Sequence, residues 1–468
     1  MEVTFFQWII LGYFLLLSLI YIISNVLAFS ILKNYSYKLE AFPDASFLSV
    51  TDMPPVTIIA PAFNEDLTCV EATRSLLTLE YPDYEVLVIN DGSTDQTLKR
   101  MIRAFDMHPT PRMSMADITT APVRVLYRSK NNPNLWLIDK ENSGKADSLN
   151  VGINYCTSSL FCSVDSDSLL ERSALTKIVK PFMEDTNTIA VGGIVRIVNG
   201  CTVSDGQVTD IRLSDNLLVK FQVLEYLRAF LVGRMGWAAI KATIIISGAF
   251  GLFQRETVVQ IGGYSTRRTR GETVGEDIEL VVRMSKYCRE QKRNYAISYI
   301  PDAVAWTECP ESLKGLKRQR SRWQRGLLEA TTRNIGMFFN PRYGRLGMVS
   351  FPYFFILEGL GPIIELISYI YFVVLLLDIS SASFTFITAY LMVAFVLGIV
   401  LSIIALCLEE ISFRRYPGLM DLFQLFLLSV IESFGYRQLN AWWRIHGLYT
   451  FVMRRDGWGN MDRKGFRK

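Results

Sequence analysis

Histidine is nearly missing from this chain of 468 residues, which contains two. Cysteine occurs seven times and never as C-x-x-C. Zinc sites draw on those two residue types at short spacings, so the composition argues against zinc. An odd, scattered set of cysteines points to reduced thiols facing a cytoplasm. A large excess of one charge is also lacking, since 49 Lys and Arg stand against 45 Asp and Glu, a net of +4. The basic residues cluster, which suits an anionic ligand or lipid headgroups better than a nucleic-acid duplex. No internal repeat and no low-complexity linker is visible. Between Val3 and Leu32 charge is absent altogether. That run exceeds the roughly 20 residues a spanning helix needs. It is also too long for the apolar part of a cleaved leader, and Glu2 precedes it where a leader has Lys or Arg. Lys33 and Lys38 follow, so the positive-inside rule places the next segment in the cytoplasm.

What is present divides the chain. Hydrophobic residues make up 50% of it, yet 20% is charged, too much for a protein that lies wholly in a membrane. Residues 56 to about 310 alternate strand and helix patterns. Val56-Thr57-Ile58-Ile59-Ala60 and Glu85-Val86-Leu87-Val88-Ile89 read as buried strands with helical stretches between them, as in a parallel α/β sheet. Ligands in such sheets gather at the carboxyl ends of strands. Asn64-Glu65, Asn90-Asp91-Gly92 and Asp165-Ser166-Asp167 all fall there. The last third is apolar again. Leu346 to Leu377 carries Glu358 and Glu365, and Ser380 to Leu408 carries no charge. Met420 to Val452 is broken by Glu432, Arg437 and Arg444. Three full crossings after the water-exposed domain would place the basic tail outside, so part of 420–452 is expected to be interfacial or re-entrant. The expected segments are a spanning helix at 1–33, an enzyme domain at 50–335, spanning and interfacial helices at 346–453, and a cytoplasmic tail at 454–468.

Several constellations carry chemistry, and each has a plainer reading. Alternate side chains of a strand share a face, so Asp165 and Asp167 could hold Mg²⁺ or Mn²⁺ together with substrate phosphates. Chance acidic pairs in loops are common. Gly144-Lys145-Ala146 opens a predicted helix, where a glycine admits a phosphate to the backbone and the lysine supplies charge; a solvated lysine would look the same. Asp277 of Gly275-Glu276-Asp277 stands at another helix start, either as a general base or as a partner of the helix dipole. Gln319, Arg322 and Trp323 share one helix face. Arginine can fork onto a pyrophosphate and tryptophan can stack on a sugar; a basic helix resting on headgroups is the alternative. The segment from Ser247 to Phe253 could let a substrate approach the backbone or could be a tightly packed strand.

Together these motifs resemble the membrane-integrated, processive branch of the family 2 glycosyltransferases, the branch of cellulose, hyaluronan and poly-N-acetylglucosamine synthases. The resemblance runs from about Val56 to Arg325. It rests on Pro61-Ala62-Phe63-Asn64-Glu65, Asn90-Asp91-Gly92-Ser93, Gly144-Lys145-Ala146, Asp165-Ser166-Asp167, Gly275-Glu276-Asp277, and Gln319 with Arg322 and Trp323, in the family's order. It implies a GT-A-type α/β domain joined to an all-α transmembrane region. It also implies that Glu65 and Asp91 hold the uridine, that Lys145 touches the diphosphate, that Asp165 seats the UDP and that Asp167 ligates Mg²⁺ or Mn²⁺. Asp277 becomes the base, and Gln319, Arg322 and Trp323 frame the donor pyrophosphate and the acceptor end. Ser247, Gly248 and Phe250 would lie beside the acceptor sugar.

The implied reaction is inverting transfer from UDP-glucose or UDP-N-acetylglucosamine to a growing β-linked glycan that leaves through the bilayer. The implied location is the inner or plasma membrane, multi-pass, with a cytoplasmic enzyme domain; accessory export subunits are expected partners and nucleic acid is not. Gly275 stands where cellulose synthases have threonine, and segment 247–253 lacks their cysteine. One spanning segment precedes the enzyme domain where two are usual, and nothing resembling a cyclic-dinucleotide barrel follows. These departures leave the polymer open. Two rival readings stand beside this one: a non-processive transferase acting on a lipid-linked acceptor, and a nucleotide-sensing membrane transporter without catalysis.

Overall fold

A computed structural model describes residues 4–41, 53–377, 384–416 and 418–453. The expected basic tail at 454–468 lies outside the described residues. The chain divides into two compact units. One holds Phe42–Arg212 and Thr243–Cys309; the other holds Met1–Ala41, Leu213–Ala242 and Pro310–Met461.

The first unit is built on a sheet. Its strands are β1 (Val56–Ala62), β2 (Tyr84–Asn90), β3 (Met107–Pro109), β4 (Val123–Ser129), β5 (Leu135–Lys140), β6 (Leu160–Val164), β7 (Ser168–Leu170) and β8 (Thr188–Ile197). After the small pair β9 (Thr202–Ser204) and β10 (Gln207–Asp210) come β11 (Phe250–Gln254) and β12 (Ala296–Thr307). The ten strands of the large sheet lie in the order β3-β4-β5-β2-β1-β6-β11-β8-β12-β7. The central four, β5-β2-β1-β6, are parallel. Their near-continuous apolar runs follow from burial on both faces. Ile58, Val86 and Val88 enter one core, and Ile59, Leu87 and Ile89 enter the core on the opposite face. The expectation of a parallel sheet holds for this centre and for the pair β8–β12. β11 is antiparallel to both its neighbours, β6 and β8, so the sheet is mixed. An apolar run such as Phe250–Gln254 announces a buried strand and says nothing of its direction.

The second unit is helical. Phe5–Tyr35, Leu346–Leu377 and Phe384–Ser412 are long and apolar enough to cross a membrane. Leu419–Ile431 and Tyr436–Val452 meet at a bend of 64°, so the apolar stretch expected at 420–452 is broken in its middle. Helical residues 217–239, which the sequence reading placed in the enzyme domain, belong to this unit. They pack so closely on the first helix that a Cβ on Gly236 would lie 2.9 Å from Ser24 Cβ. By this division the sheet-bearing unit ends at Cys309.

Charged side chains inside the helical unit have partners. Arg228 forks onto Glu432 at 2.6 and 3.1 Å, and Glu432 also accepts from Arg437 at 2.7 Å and Ser402 at 2.9 Å. Glu358 pairs with Arg444 at 2.9 Å and accepts from the hydroxyls of Tyr353 and Tyr21 at 2.8 and 3.2 Å. Glu365 accepts from Tyr13 at 2.9 Å. Burying a carboxylate is costly unless it has a partner, and each of these has one. All seven cysteines are free thiols, and all but Cys407 are buried.

Candidate active site

Neighbouring parallel strands deliver three carboxylates to one edge of the sheet: β1 leads to Glu65, β2 to Asp91 and β6 to Asp165. Glu65 precedes Thr68, the N-cap of the helix Cys69–Leu77. It accepts from Thr68 Oγ1 at 2.8 Å, and its N–H donates to Thr97 Oγ1 at 2.9 Å.

Asp91 is nearly buried, at 3% exposure. Its Oδ1 accepts from Lys140 Nζ at 2.5 Å and from the Ser143 N–H at 3.0 Å. Its Oδ2 accepts from the Gly144 N–H at 2.8 Å and from Asn142 Nδ2 at 3.3 Å. Lys140, wholly buried, also pairs with Asp147 at 3.0 Å. An interior charge is tolerated when it is paired and hydrogen-bonded in this way. The group fixes the turn at 142–144. Gly144 there has φ +89°, a conformation side chains resist, and it starts the helix Lys145–Tyr155.

Asp165 and Asp167 do not lie on a straight strand. The Ser168 N–H donates to the Asp165 carbonyl at 3.0 Å, closing a turn between β6 and β7. The alternation argument therefore fails, and the environments of the two differ: the Asp165 side chain is 32% exposed and Asp167 is buried. Asp165 pairs with Lys145 at 2.5 Å, and Glu276 stands 3.6 Å from the same ammonium. Burial alone would lower the pKa of Lys145. The charges of Asp165 first and Glu276 next outweigh it and hold the group above the ordinary lysine value.

Asp277 lies in the first turn of the helix Glu276–Glu290. Its Oδ1 accepts from the Ile278 N–H at 2.9 Å and its Oδ2 from the Gly248 N–H at 3.3 Å. A Cβ on Gly248 would come within 2.9 Å of Lys145 Nζ, so glycine there leaves the ammonium its place. Gly248 thus donates to Asp277 through its backbone and leaves room for Lys145. Phe250 does not line this site. Its ring is fully buried in the core and packs over Gly193, which corrects its assignment beside the acceptor. Its ring faces the sheet interior while the preceding turn faces the site.

Gln319, Arg322 and Trp323 belong to the helical unit, on the helix Leu313–Arg333. Gln319 is buried, Arg322 is half-buried and Trp323 is exposed. The helix is locked among its neighbours: Ser321 Oγ donates to the Trp443 carbonyl at 2.9 Å, and Gln324 Nε2 donates to the Gly359 carbonyl at 2.6 Å. A helix merely resting on headgroups would not bury these groups.

The sequence gives no signal for Tyr264 and names Glu276 only as part of its motif. Tyr264 is buried, and burial pushes its hydroxyl above the ordinary tyrosine value. A lysine ending an apolar strand was the visible signal for Lys140; its partner lies 49 residues away in sequence.

A profile described as "Glycosyltransferase like family 2" matches residues 54–326, more than half the chain. The chain belongs to that family. It is 28% identical over 319 residues to the poly-beta-1,6-N-acetyl-D-glucosamine synthase of Staphylococcus aureus (strain COL), a match covering 68% of this chain and 64% of that one. It is 27% identical to the synthase of the same name from Staphylococcus epidermidis over 283 residues, 60% of this chain and 56% of that one. The chain thus spans less than two thirds of these relatives' length. Among solved structures, a mannosyltransferase of Pyrobaculum calidifontis in complex with GDP-Man and Mn²⁺ shares the fold. Its TM-score is 0.53 at 17% identity, covering 94% of this chain and all of that one.

Proposed function

We propose that this family 2 glycosyltransferase is an inverting, processive polysaccharide synthase. It would transfer sugar from a UDP-sugar, UDP-N-acetylglucosamine before UDP-glucose, to a growing β-linked glycan, and pass that glycan through its membrane helices. The enzyme unit would face the cytoplasm of a multi-pass protein in the cell membrane. The observation that carries the chemistry is the setting of Asp277. The carboxylate stands at the positive end of a helix, and the Gly248 N–H aims it. Asp277 would take the proton of the acceptor hydroxyl as that oxygen attacks the anomeric carbon and the UDP leaves.

Lys145 would turn from Asp165 to the diphosphate and meet the charge that develops there. Asp165 and Asp167 offer hard oxygens on one turn, and among the described residues no group of three or more His, Cys, Asp or Glu could hold a metal. That donor set fits Mg²⁺ or Mn²⁺, which keep one or two carboxylates and take the rest from phosphates and water. When bound, such an ion neutralises charge on the leaving diphosphate. Glu65 is assigned to the uridine. Asp91, its oxygens filled by four donors, is assigned to fixing the loop that carries Lys145. Gln319, Arg322 and Trp323 keep the donor and acceptor roles that the sequence resemblance implies.

The test is purified protein in detergent or liposomes with labelled UDP-sugars, read for product size. Long polymer that disappears with excess chelator and with Asp167→Ala supports the reading. A single added sugar on a lipid acceptor favours the non-processive alternative. Donor turnover untouched by chelator sinks the metal assignment.

A further inference from the structure

Arg320 sits inside the motif but was given no role by the sequence. Its guanidinium lies 4.4 Å from the centre of the Trp323 ring. Its Nη1 donates to Gln319 Oε1 at 3.2 Å, and its Nη2 is bonded to Glu225 Oε2. Arg320 therefore touches two of the three motif side chains. The Arg320 side chain is 5% exposed, whereas Trp323 is 41% exposed. The indole thus stands on a buried cation and keeps surface open.

Glu225 is the second link. Besides Arg320 it accepts from the Tyr436 hydroxyl at 2.8 Å and from Asn440 Nδ2 at 2.6 Å. Those two residues begin the helix Tyr436–Val452, just past the 64° bend. Tyr436 is itself held, with its ring stacked 4.5 Å from Phe221. Three separate helices thus converge on one carboxylate, and the carboxylate fixes the arginine under the tryptophan.

We propose that Arg320, clamped by Glu225, is the positioning residue for the Trp323 acceptor platform, and that the bent helix pair at 419–452 sets this clamp. The proposal rests on the reading of Trp323 as an acceptor contact. It gives the bent pair a task other than anchoring. A planar guanidinium can stack on an indole and fork to a carboxylate at once; an ammonium is a point charge and cannot hold the ring plane. Misplacing a reacting partner by about 1 Å can cost about 10²-fold in rate. The loss should fall on the acceptor step and leave the donor site as it was.

The experiment compares full-length wild type, R320K, E225Q, Y436F and W323A in detergent with UDP-N-acetylglucosamine, or with UDP-glucose if wild type consumes that instead. UDP release and sugar incorporated into polymer are measured separately, with donor KM and product length. R320K and E225Q are expected to keep donor KM within about twofold, while polymer formed per UDP released falls at least about tenfold and chains shorten. W323A should share that pattern, and Y436F should show a weaker form of it. R320K preserves the charge, so a role limited to pairing with Glu225 would leave it like wild type. If R320K is not recovered as a monodisperse protein, E225Q and Y436F decide by the same readouts. Wild-type chain length in R320K and E225Q beside a defective W323A overturns the clamp and spares the acceptor reading. Wild-type chain length in W323A overturns that reading, and the clamp with it. A raised donor KM at wild-type chain length in E225Q also overturns the clamp.

Discussion

Asp277 is oriented by a backbone N–H on a neighbouring turn and by its own helix start. Asp277→Asn keeps that shape and removes the proposed base. Transfer should fall about 10²–10⁴-fold while UDP binding, read by calorimetry, stays near wild type. Near-normal polymer synthesis would reduce Asp277 to a helix-start residue. Gly248 supports a second test. Gly248→Ala places a methyl 2.9 Å from Lys145 Nζ, so the ammonium must shift and donor KM should rise while the fold, read by circular dichroism, is kept. Unchanged donor KM would mean that Lys145 has no part in donor binding. At this scale the motif carboxylates were legible because their chemistry is local: a strand end, a helix start, a short spacing. Phe250 was not, because a small-residue segment does not say which of its side chains turns inward. Lys140 was not either, because its role depends on pairing with Asp91 across the sheet.

Elements add what single residues cannot. β2 carries Glu85 near its start, where Arg112 forks onto it at 2.7 and 2.8 Å. Burial alone would raise the carboxyl's pKa, but the Arg112 contacts outweigh it and hold the group below its ordinary value of 4.5. A depressed folded-state pKa gives stability that is complete above the unfolded value and is lost as pH falls through the folded one. The melting difference between wild type and Glu85→Gln should therefore be largest above about pH 5 and shrink in acid. A difference that is flat with pH would show that this pair does not set acid stability. The central strands were legible as elements because both faces are buried, which leaves an unbroken apolar run. Lys220, Glu225, Arg228 and Arg234 give residues 217–239 the look of a water-exposed segment, although they lie in the helical unit. Two of those charges are paired inside the helical unit, Arg228 with Glu432 and Glu225 with Arg320, and pairing across helices leaves no trace in local composition.

For the whole molecule the question is whether the glycan crosses the bilayer. In sealed vesicles with the enzyme unit outward and UDP-sugar added only outside, polymer should become protected from added glycosidase. Complete digestion from intact vesicles, under robust synthesis, would refute passage by this chain acting alone. The apolar runs at 5–35 and 384–412 were plain in the sequence because lipid demands length and apolarity. The spacing of Glu358 and Glu365 places them on one helix face but does not name what meets them.

The partners of those glutamates bear on electrical tightness. Glu358 is neutralised by Arg444, Glu365 bonds to a tyrosine, and Glu432 lies between two arginines. Side chains bound to each other have little to offer a passing ion, so the idle protein should be an insulator. Vesicles carrying it without UDP-sugar should hold an imposed proton gradient as long as empty ones, as a trapped pH-sensitive dye would report. Replacing Arg444 with alanine strips Glu358 of its counter-charge, and the same vesicles should then discharge faster.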